Sequence, residues 1–251
     1  MNRISAVIIT LNEARNIQRC LDSVMPVVDE VVVVDSYSTD ATQELCAAYP
    51  LHFISHPWEG YAATKNYANS LATNDWIFSI DADEALSPEL AQSILHLKET
   101  SMEGRVFSMN RRMNYCGRWI RHGGWYPDTK IRIFNRTSVH WAGQMVHETL
   151  ACPENTLVEL LEGDLLHYSF YTPEEHQRQT ERFAILSAEE AVENGKTSNY
   201  VSACLHTGWK FLRDYLFKAG FLEGTDGLAI CKTNASGVWK KYNKIIELSK
   251  R

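Results

Sequence analysis

Apolar and polar positions along the first 80 or so residues switch repeatedly between the period of a strand and that of a helix. Ile4 to Leu11 is a strand-like apolar run closed by Thr10-Leu11-Asn12-Glu13. Ile17, Leu21 and Val24 then recur at i, i+4 and i+7, as one buried helix face requires. Glu30 to Asp35 reads as a second strand, and its unbroken Val31-Val32-Val33-Val34 suits a parallel strand covered on both faces. Ser36 to Asp40 is a polar loop running into a helix over Ala41 to Ala48. A short strand over His52 to Ser55 leads through Trp58-Glu59-Gly60 to a helix containing Tyr67 and Leu71, and a fourth apolar run ends at Asp81. This alternation predicts βαβ units and an α/β fold with a mostly parallel sheet flanked by helices. Ligands of such sheets bind beyond the carboxyl ends of the strands, where Asn12, Asp35 and Asp81 all fall.

The fourth run carries the clearest chemistry. Asp81 and Asp83 stand one residue apart, followed by Glu84. Side chains alternate faces along a strand, so an i, i+2 pair points one way where the strand runs out into a loop. Two such carboxylates make an oxygen site for Mg²⁺ or Mn²⁺. Mg²⁺ takes only one or two of them and leaves its other positions to water and substrate phosphate, so the implied ligand is a diphosphate. A solvated acidic turn fits the same pattern. There is no Gly-x-Gly-x-x-Gly and no Walker lysine loop, so dinucleotide and ATP cradles are poor readings.

At 251 residues, 45% of them hydrophobic and 22% charged, the chain suits an ordinary soluble globule. The expected organisation is a main domain over residues 1–170, divided into halves at 1–100 and 101–170, and a helical C-terminal extension over 171–251. No apolar run approaches the roughly 20 residues of a membrane span, and Ile4 to Leu11 reads as a strand rather than a leader. The six cysteines are scattered without Cys-x-x-Cys spacing, which argues against zinc or a disulfide framework. The net charge is −6, and with no basic recognition motif nucleic acid is a weak candidate. Residues 210–251 nevertheless hold nine Lys or Arg against four acids. Leu205, Trp209, Leu212 and Leu216 lie beside Lys210 and Arg213, which fits a helix on an anionic membrane surface, packed on the core, or in a homodimer.

Ile8-Ile9-Thr10-Leu11-Asn12-Glu13, Val33-Val34-Asp35-Ser36-Tyr37-Ser38-Thr39-Asp40-Ala41-Thr42, Lys65-Asn66-Tyr67-Ala68 and Ile80-Asp81-Ala82-Asp83-Glu84 resemble the family 2 glycosyltransferases of GT-A (Rossmann-like) fold. Trp125-Tyr126-Pro127-Asp128, Arg132-Ile133-Phe134, Val146-His147-Glu148 and Gly220-Phe221-Leu222-Glu223-Gly224 are similar to one branch, which includes lipopolysaccharide inner-core β-1,4-glucosyltransferases. The resemblance implies a hexose, glucose in that branch, moved from a UDP-sugar to a lipopolysaccharide core heptose. It also implies a cytoplasmic protein, with a peripheral place on the inner face of the cytoplasmic membrane open. Other acceptors (a protein or a cell-wall polymer) and a non-catalytic nucleotide-sugar or saccharide binder remain competing expectations.

On this reading Asp83, with Asp81, holds the metal against the diphosphate, and the family's downstream metal histidine corresponds to His167. Asp81 could instead touch the ribose. Thr10, Asn12 and Glu13 face the nucleoside, Asp35 accepts the N3 hydrogen of uracil, and Lys65 offers a cation to base or phosphate. Asn12 and Asp35 would equally serve as helix caps. The base is a carboxylate: Glu148, where the branch carries its His-Glu pair, or Asp128 in the aromatic loop. A single base attacking opposite the leaving group inverts the anomeric carbon. Between Arg105 and Arg136, eight basic residues and one acid are interleaved with Tyr115, Trp119, Trp125 and Tyr126. Aromatic faces stack on sugars and arginine forks bind phosphate, so Arg112, Trp125, Tyr126 and Arg132 are candidates for a phosphorylated glycolipid acceptor.

Overall fold

Four of the apolar runs form parallel neighbours in one sheet of the computed structural model, which describes residues 1–143 and 149–249. They are β1 (Ile4–Thr10), β2 (Glu30–Asp35), β3 (His52–Ser55) and β4 (Trp76–Asp81), in the order β3-β2-β1-β4. Val31 to Val34 are at most 2% exposed, as a strand with helices on both faces requires. Burying each such side chain contributes about 1.5–3 kcal/mol. The intervening helices are α1 (Ile17–Val24), α2 (Thr42–Cys46) and α3 (Tyr61–Leu71). In α1 the buried positions are Ile17, Cys20, Leu21 and Val24, the expected stripe. In α3 the buried residues are Thr64, Lys65, Ala68 and Asn69, while Tyr67 and Leu71 pack partly buried against the core cluster that includes Ala68.

The chain runs outward from β1 to β2 and β3, then returns to place β4 on the other side of β1. That reversal opens a crevice beyond the carboxyl ends of β1 and β4. Register places Thr10 opposite Asp35 and Ile9 opposite Asp81, so three polar strand ends lie side by side.

Beyond β4 come β5 (Glu84–Leu86), α4 (Pro88–Leu97), β6 (Arg105–Tyr115), β7 (Arg118–Trp119), β8 (Asp128–Asn135), β9 (His140–Ala142), β10 (Thr149–Ala151) and β11 (Leu157–Phe170). The sheet continues past β4 as β8-β6-β11-β5, with β8 antiparallel to both β4 and β6, and β11 antiparallel to β5. It is therefore an α/β sheet, parallel in its N-terminal half and mixed overall. These later strands show no clear apolar period because charged residues interrupt them.

Chain contacts divide the residues into two compact units, Met1–Arg111 with Asp128–His167, and Arg112–Pro127 with Tyr168–Arg251. The second contains α5 (Pro173–Glu193), α6 (Tyr200–Leu212), a π-helical turn over Arg213–Phe217, a short 3-10 turn over Gly220–Glu223 and α7 (Gly224–Leu248). Thr172 and Glu175 form a reciprocal capping box that starts α5, with Pro173 at its first position. Helix α7 packs along α5 and α6. Gly237 permits the close crossing with α5, since a Cβ there would lie 2.4 Å from Thr180 Cγ2. Tyr115, Ile120, Phe170 and Ile230 form a small core that Trp125 joins. Glu223 is 7% exposed and clamps the loop before Trp125: its Oε1 accepts from Arg121 N at 2.9 Å and His122 N at 3.0 Å.

Candidate active site

Asp81 ends β4 with both carboxylate oxygens engaged. Lys65 Nζ lies 3.2 Å from Oδ1, and Arg132 Nη2 donates to Oδ2 at 2.7 Å. Burial works against the charge, but Arg132 and Lys65 outweigh it and hold the carboxyl far below the usual carboxylate range. Lys65 is itself only 4% exposed; it sits on the buried face of α3 with its ammonium 4.6 Å from the Trp141 ring centroid. Within that face it is Lys65 that serves the Asp81 carboxylate.

Arg132, expected among the acceptor residues, is 4% exposed and turned inward from β8. Its Nη2 also donates to Glu84 Oε1 at 2.5 Å. Glu84, 1% exposed, accepts from Asp81 N at 3.0 Å and lies 3.5 Å from Arg111 Nη1. Arg111 in turn grips Asp128 through Nε at 3.0 Å and Nη2 at 2.7 Å, while Lys130 meets the other Asp128 oxygen at 2.9 Å. Charges of opposite sign therefore alternate from Lys65 through Asp81, Arg132, Glu84 and Arg111 to Asp128. Buried charges persist when paired and hydrogen-bonded in this way. For Asp128, burial raises the carboxyl while Arg111 and Lys130 lower it further, leaving it below its ordinary value.

Asp83 has a different partner. His167 Nε2 lies 2.9 Å from Asp83 Oδ2, and their antiparallel strands set the distance, for His167 pairs in register with Glu84. The register is fixed at the far end of the strand. Ser87 caps α4 by accepting from Leu90 N at 3.2 Å, and its hydroxyl also accepts from Asp164 N at 3.1 Å. Gly163, at φ +98°, brings β11 so close that a Cβ would stand 2.2 Å from Leu90 N. Burial lowers the His167 imidazole, but the Asp83 carboxylate outweighs it and raises it above its ordinary value. Among the described residues no group of three or more His, Cys, Asp or Glu is assembled as a metal cage. An imidazole nitrogen and a carboxylate oxygen at one point nonetheless form a donor set that suits Mn²⁺ or Mg²⁺ when water and phosphate complete the shell.

At the neighbouring strand ends, Thr10 is 5% exposed and its Oγ1 has no hydrogen-bond partner among the described residues. Asn12 adopts φ +57° and does not cap α1. Its Oδ1 accepts from Thr39 N at 2.8 Å, and its own N donates to Ser38 Oγ at 2.7 Å, so it ties the β1 loop to the β2 loop. Asp35, 2% exposed, accepts from Ser38 N at 2.8 Å. Glu13 accepts from Asn16 Nδ2 at 2.8 Å, and burial, reinforced by Asp83 and Asp40, pushes its carboxyl up to about 7.

The remaining candidates divide. Arg112, Trp125 and Tyr126 belong to the second unit. There Arg112 Cζ stands 5.7 Å from the Trp119 centroid, and Trp125 meets Tyr115 and His176 edge-on at 5.8 and 5.2 Å. Glu148 lies outside the described residues. Sequence reasoning assigned no role to Glu84 or Arg111. The adjacency of Glu84 to Asp83 was a signal for the first; nothing local marks which of eight basic residues pairs with which acid.

The family model for glycosyl transferase family 2 matches residues 5–148. An uncharacterized glycosyltransferase of Rickettsia felis is 31% identical over 90% of this chain and 83% of its own length. The lipopolysaccharide core biosynthesis glycosyltransferase LpsC of Rhizobium meliloti is 29% identical over 95% of this chain and 93% of its own length. Among solved structures, glucosyl-3-phosphoglycerate synthase from Mycobacterium tuberculosis, in complex with Mn²⁺ and UDP-glucose, overlaps 45% of this chain and 44% of its own at 25% identity and a TM-score of 0.37.

Proposed function

The chain belongs to glycosyl transferase family 2, and on that premise we propose that it moves a hexose, glucose, from a UDP-sugar to a heptose of a lipopolysaccharide inner core, with inversion. The observation that carries the reading is the meeting of Asp83 and His167 beside an Asp81 held ionised by Lys65 and Arg132. The name of the Rhizobium meliloti relative supports the choice of acceptor.

Asp83 and His167 would hold Mg²⁺ or Mn²⁺, which when bound offsets negative charge on the departing diphosphate. Asp81 keeps its orientation through two cations and offers hydrogen-bond acceptors to the donor's ribose. Thr10 contributes a buried hydroxyl to the nucleoside, and Asn12, Glu13 and Asp35 shape the base and ribose pocket between the β1 and β2 loops. Arg112, Trp125 and Tyr126 meet the acceptor.

Glu148 takes the proton from the acceptor hydroxyl as that oxygen bonds to the anomeric carbon. The bond from that carbon to the UDP oxygen breaks on the opposite side, and its electrons leave with UDP. An α-linked donor therefore yields a β-linkage. Asp128 is the weaker base, since Arg111 and Lys130 hold it below its ordinary value.

The test is UDP release from a panel of UDP-sugars, with and without core oligosaccharide from a heptose-terminated strain. Release from UDP-glucose that needs both divalent metal and the oligosaccharide supports the proposal. Indifference to the oligosaccharide moves the acceptor to a protein or cell-wall polymer, and no turnover with any donor makes the chain a binding module.

A further inference from the structure

Helix α6 in the second unit turns its apolar side outward. Its one buried residue is Ala203. Val201, Leu205, Trp209 and Leu212 stand at i, i+4, i+8 and i+11, which at 100° per residue confines them to about 80° of the helix surface. They are 69, 68, 56 and 45% exposed, and Leu216 and Phe217 in the following π-helical turn continue the row at 51 and 73%. An amphipathic helix that packs on a core hides its apolar stripe; this one hides the opposite side. Contiguous exposed apolar surface of this kind marks an interaction site.

Charge identifies the partner. Between Tyr200 and Leu222 the basic residues are Lys210, Arg213 and Lys218, and the single acid is Asp214. Asp214 is 1% exposed and is held by Lys210 at 2.7 Å and Arg213 at 2.9 Å, so the segment presents no exposed carboxylate. This is a local positive balance on a chain whose net charge is −6. A second copy docking through the same face would set cation against cation, whereas a lipid surface with anionic headgroups complements both the apolar row and its basic flank. Trp209 adds an apolar ring with a polar N–H, a combination that favours the headgroup boundary.

We propose that the exposed face of α6 and the turn after it seat this protein on an anionic bilayer, lying on the membrane rather than crossing it. The inference stands apart from the transferase reading, because it rests on exposure and charge alone. None of the described helices is long and apolar enough to span a membrane.

The test is co-sedimentation of the full chain with phosphatidylcholine vesicles made with and without phosphatidylglycerol, using the L205S/W209S double variant and Lys218→Glu. The wild type should pellet with the phosphatidylglycerol vesicles only and less so in high salt. The double variant should stay in the supernatant. Lys218 is exposed, so its reversal, with folding checked by circular dichroism, reads the electrostatic part even where the double variant unfolds; vesicle binding should fall by more than about fivefold, the effect of one basic residue. Wild type that fails to pellet, or variants that pellet like it, would overturn the proposal. So would a wild-type dimer in light scattering that the double variant splits while vesicles bind neither.

Discussion

Asp83 and His167 stand 84 residues apart in sequence, yet Asp83 Oδ2 and His167 Nε2 are 2.9 Å apart. Pairing of His167 with Glu84 across antiparallel strands leaves these two side chains at one corner of the strand ends. With Asp81 committed to Lys65 and Arg132, the proposed metal site rests on Asp83 and His167.

Removing divalent metal with a chelator is expected to stop UDP release, and Mn²⁺ should restore it. Asp83→Ala and His167→Ala should each weaken metal affinity by at least the roughly 10–100-fold that loss of a supporting contact costs. Calorimetric titration of Mn²⁺ with UDP present checks this; unchanged affinity in both variants would place the ion elsewhere.

Glu84 carries a stability prediction rather than a catalytic one. It is 1% exposed and bonds Arg132, itself 4% exposed. Glu84→Ala removes a partner from a buried cation and should cost about 3–5 kcal/mol, read as a fall in the urea midpoint. A loss under about 1 kcal/mol would show that Asp81 alone satisfies Arg132.

The two candidate bases are separable by rate. Glu148→Gln should lower kcat by about 10²–10⁴-fold, the usual worth of general base catalysis. Asp128→Asn should lower it by less than about tenfold, since its paired carboxylate is a poor proton acceptor. The reverse order of effects would assign the base to Asp128.

Gly163→Ala tests how the Asp83–His167 pair is built. A Cβ would stand 2.2 Å from Leu90 N, at a φ of +98° that suits glycine. The strain should cost roughly 2–4 kcal/mol. Because β11 must shift to relieve it, Mn²⁺ affinity should fall as well, although residue 163 has no part in the proposed metal site. Lower stability with intact Mn²⁺ binding would show that the register survives.

His176 gives the second unit a pH dependence. The residue is 3% exposed among Tyr115, Trp125 and Phe170. Burial holds its imidazole below the ordinary 6.5, against a hydrogen bond to Asn234 that favours charge. The folded state resists a proton that the unfolded state accepts, so this contribution is complete above about 6.5 and is lost as pH falls through the lowered value. Melting temperatures between pH 7.5 and 5 should drop more steeply for the wild type than for His176→Phe, and parallel curves would count against a buried neutral imidazole.

What the sequence determined by itself is the parallel half of the sheet and the strand ends around the crevice. Val31 to Val34 and the Ile17-Leu21-Val24 stripe signal strand and helix through periods that depend only on neighbouring residues. The Asp81-Ala82-Asp83 spacing is equally local. Tertiary structure decided the partners. It turned Arg132 inward, buried Lys65 against Asp81 and Trp141, set Trp125 in an aromatic cluster, and left the α6 row outside. No short-range pattern encodes these outcomes. A charged side chain goes where distant strands supply its counter-charge, and an apolar face is hidden only where another element can reach it. The register that joins His167 to Asp83 depends likewise on a close approach at Gly163, which becomes visible only once β11 is laid against α4.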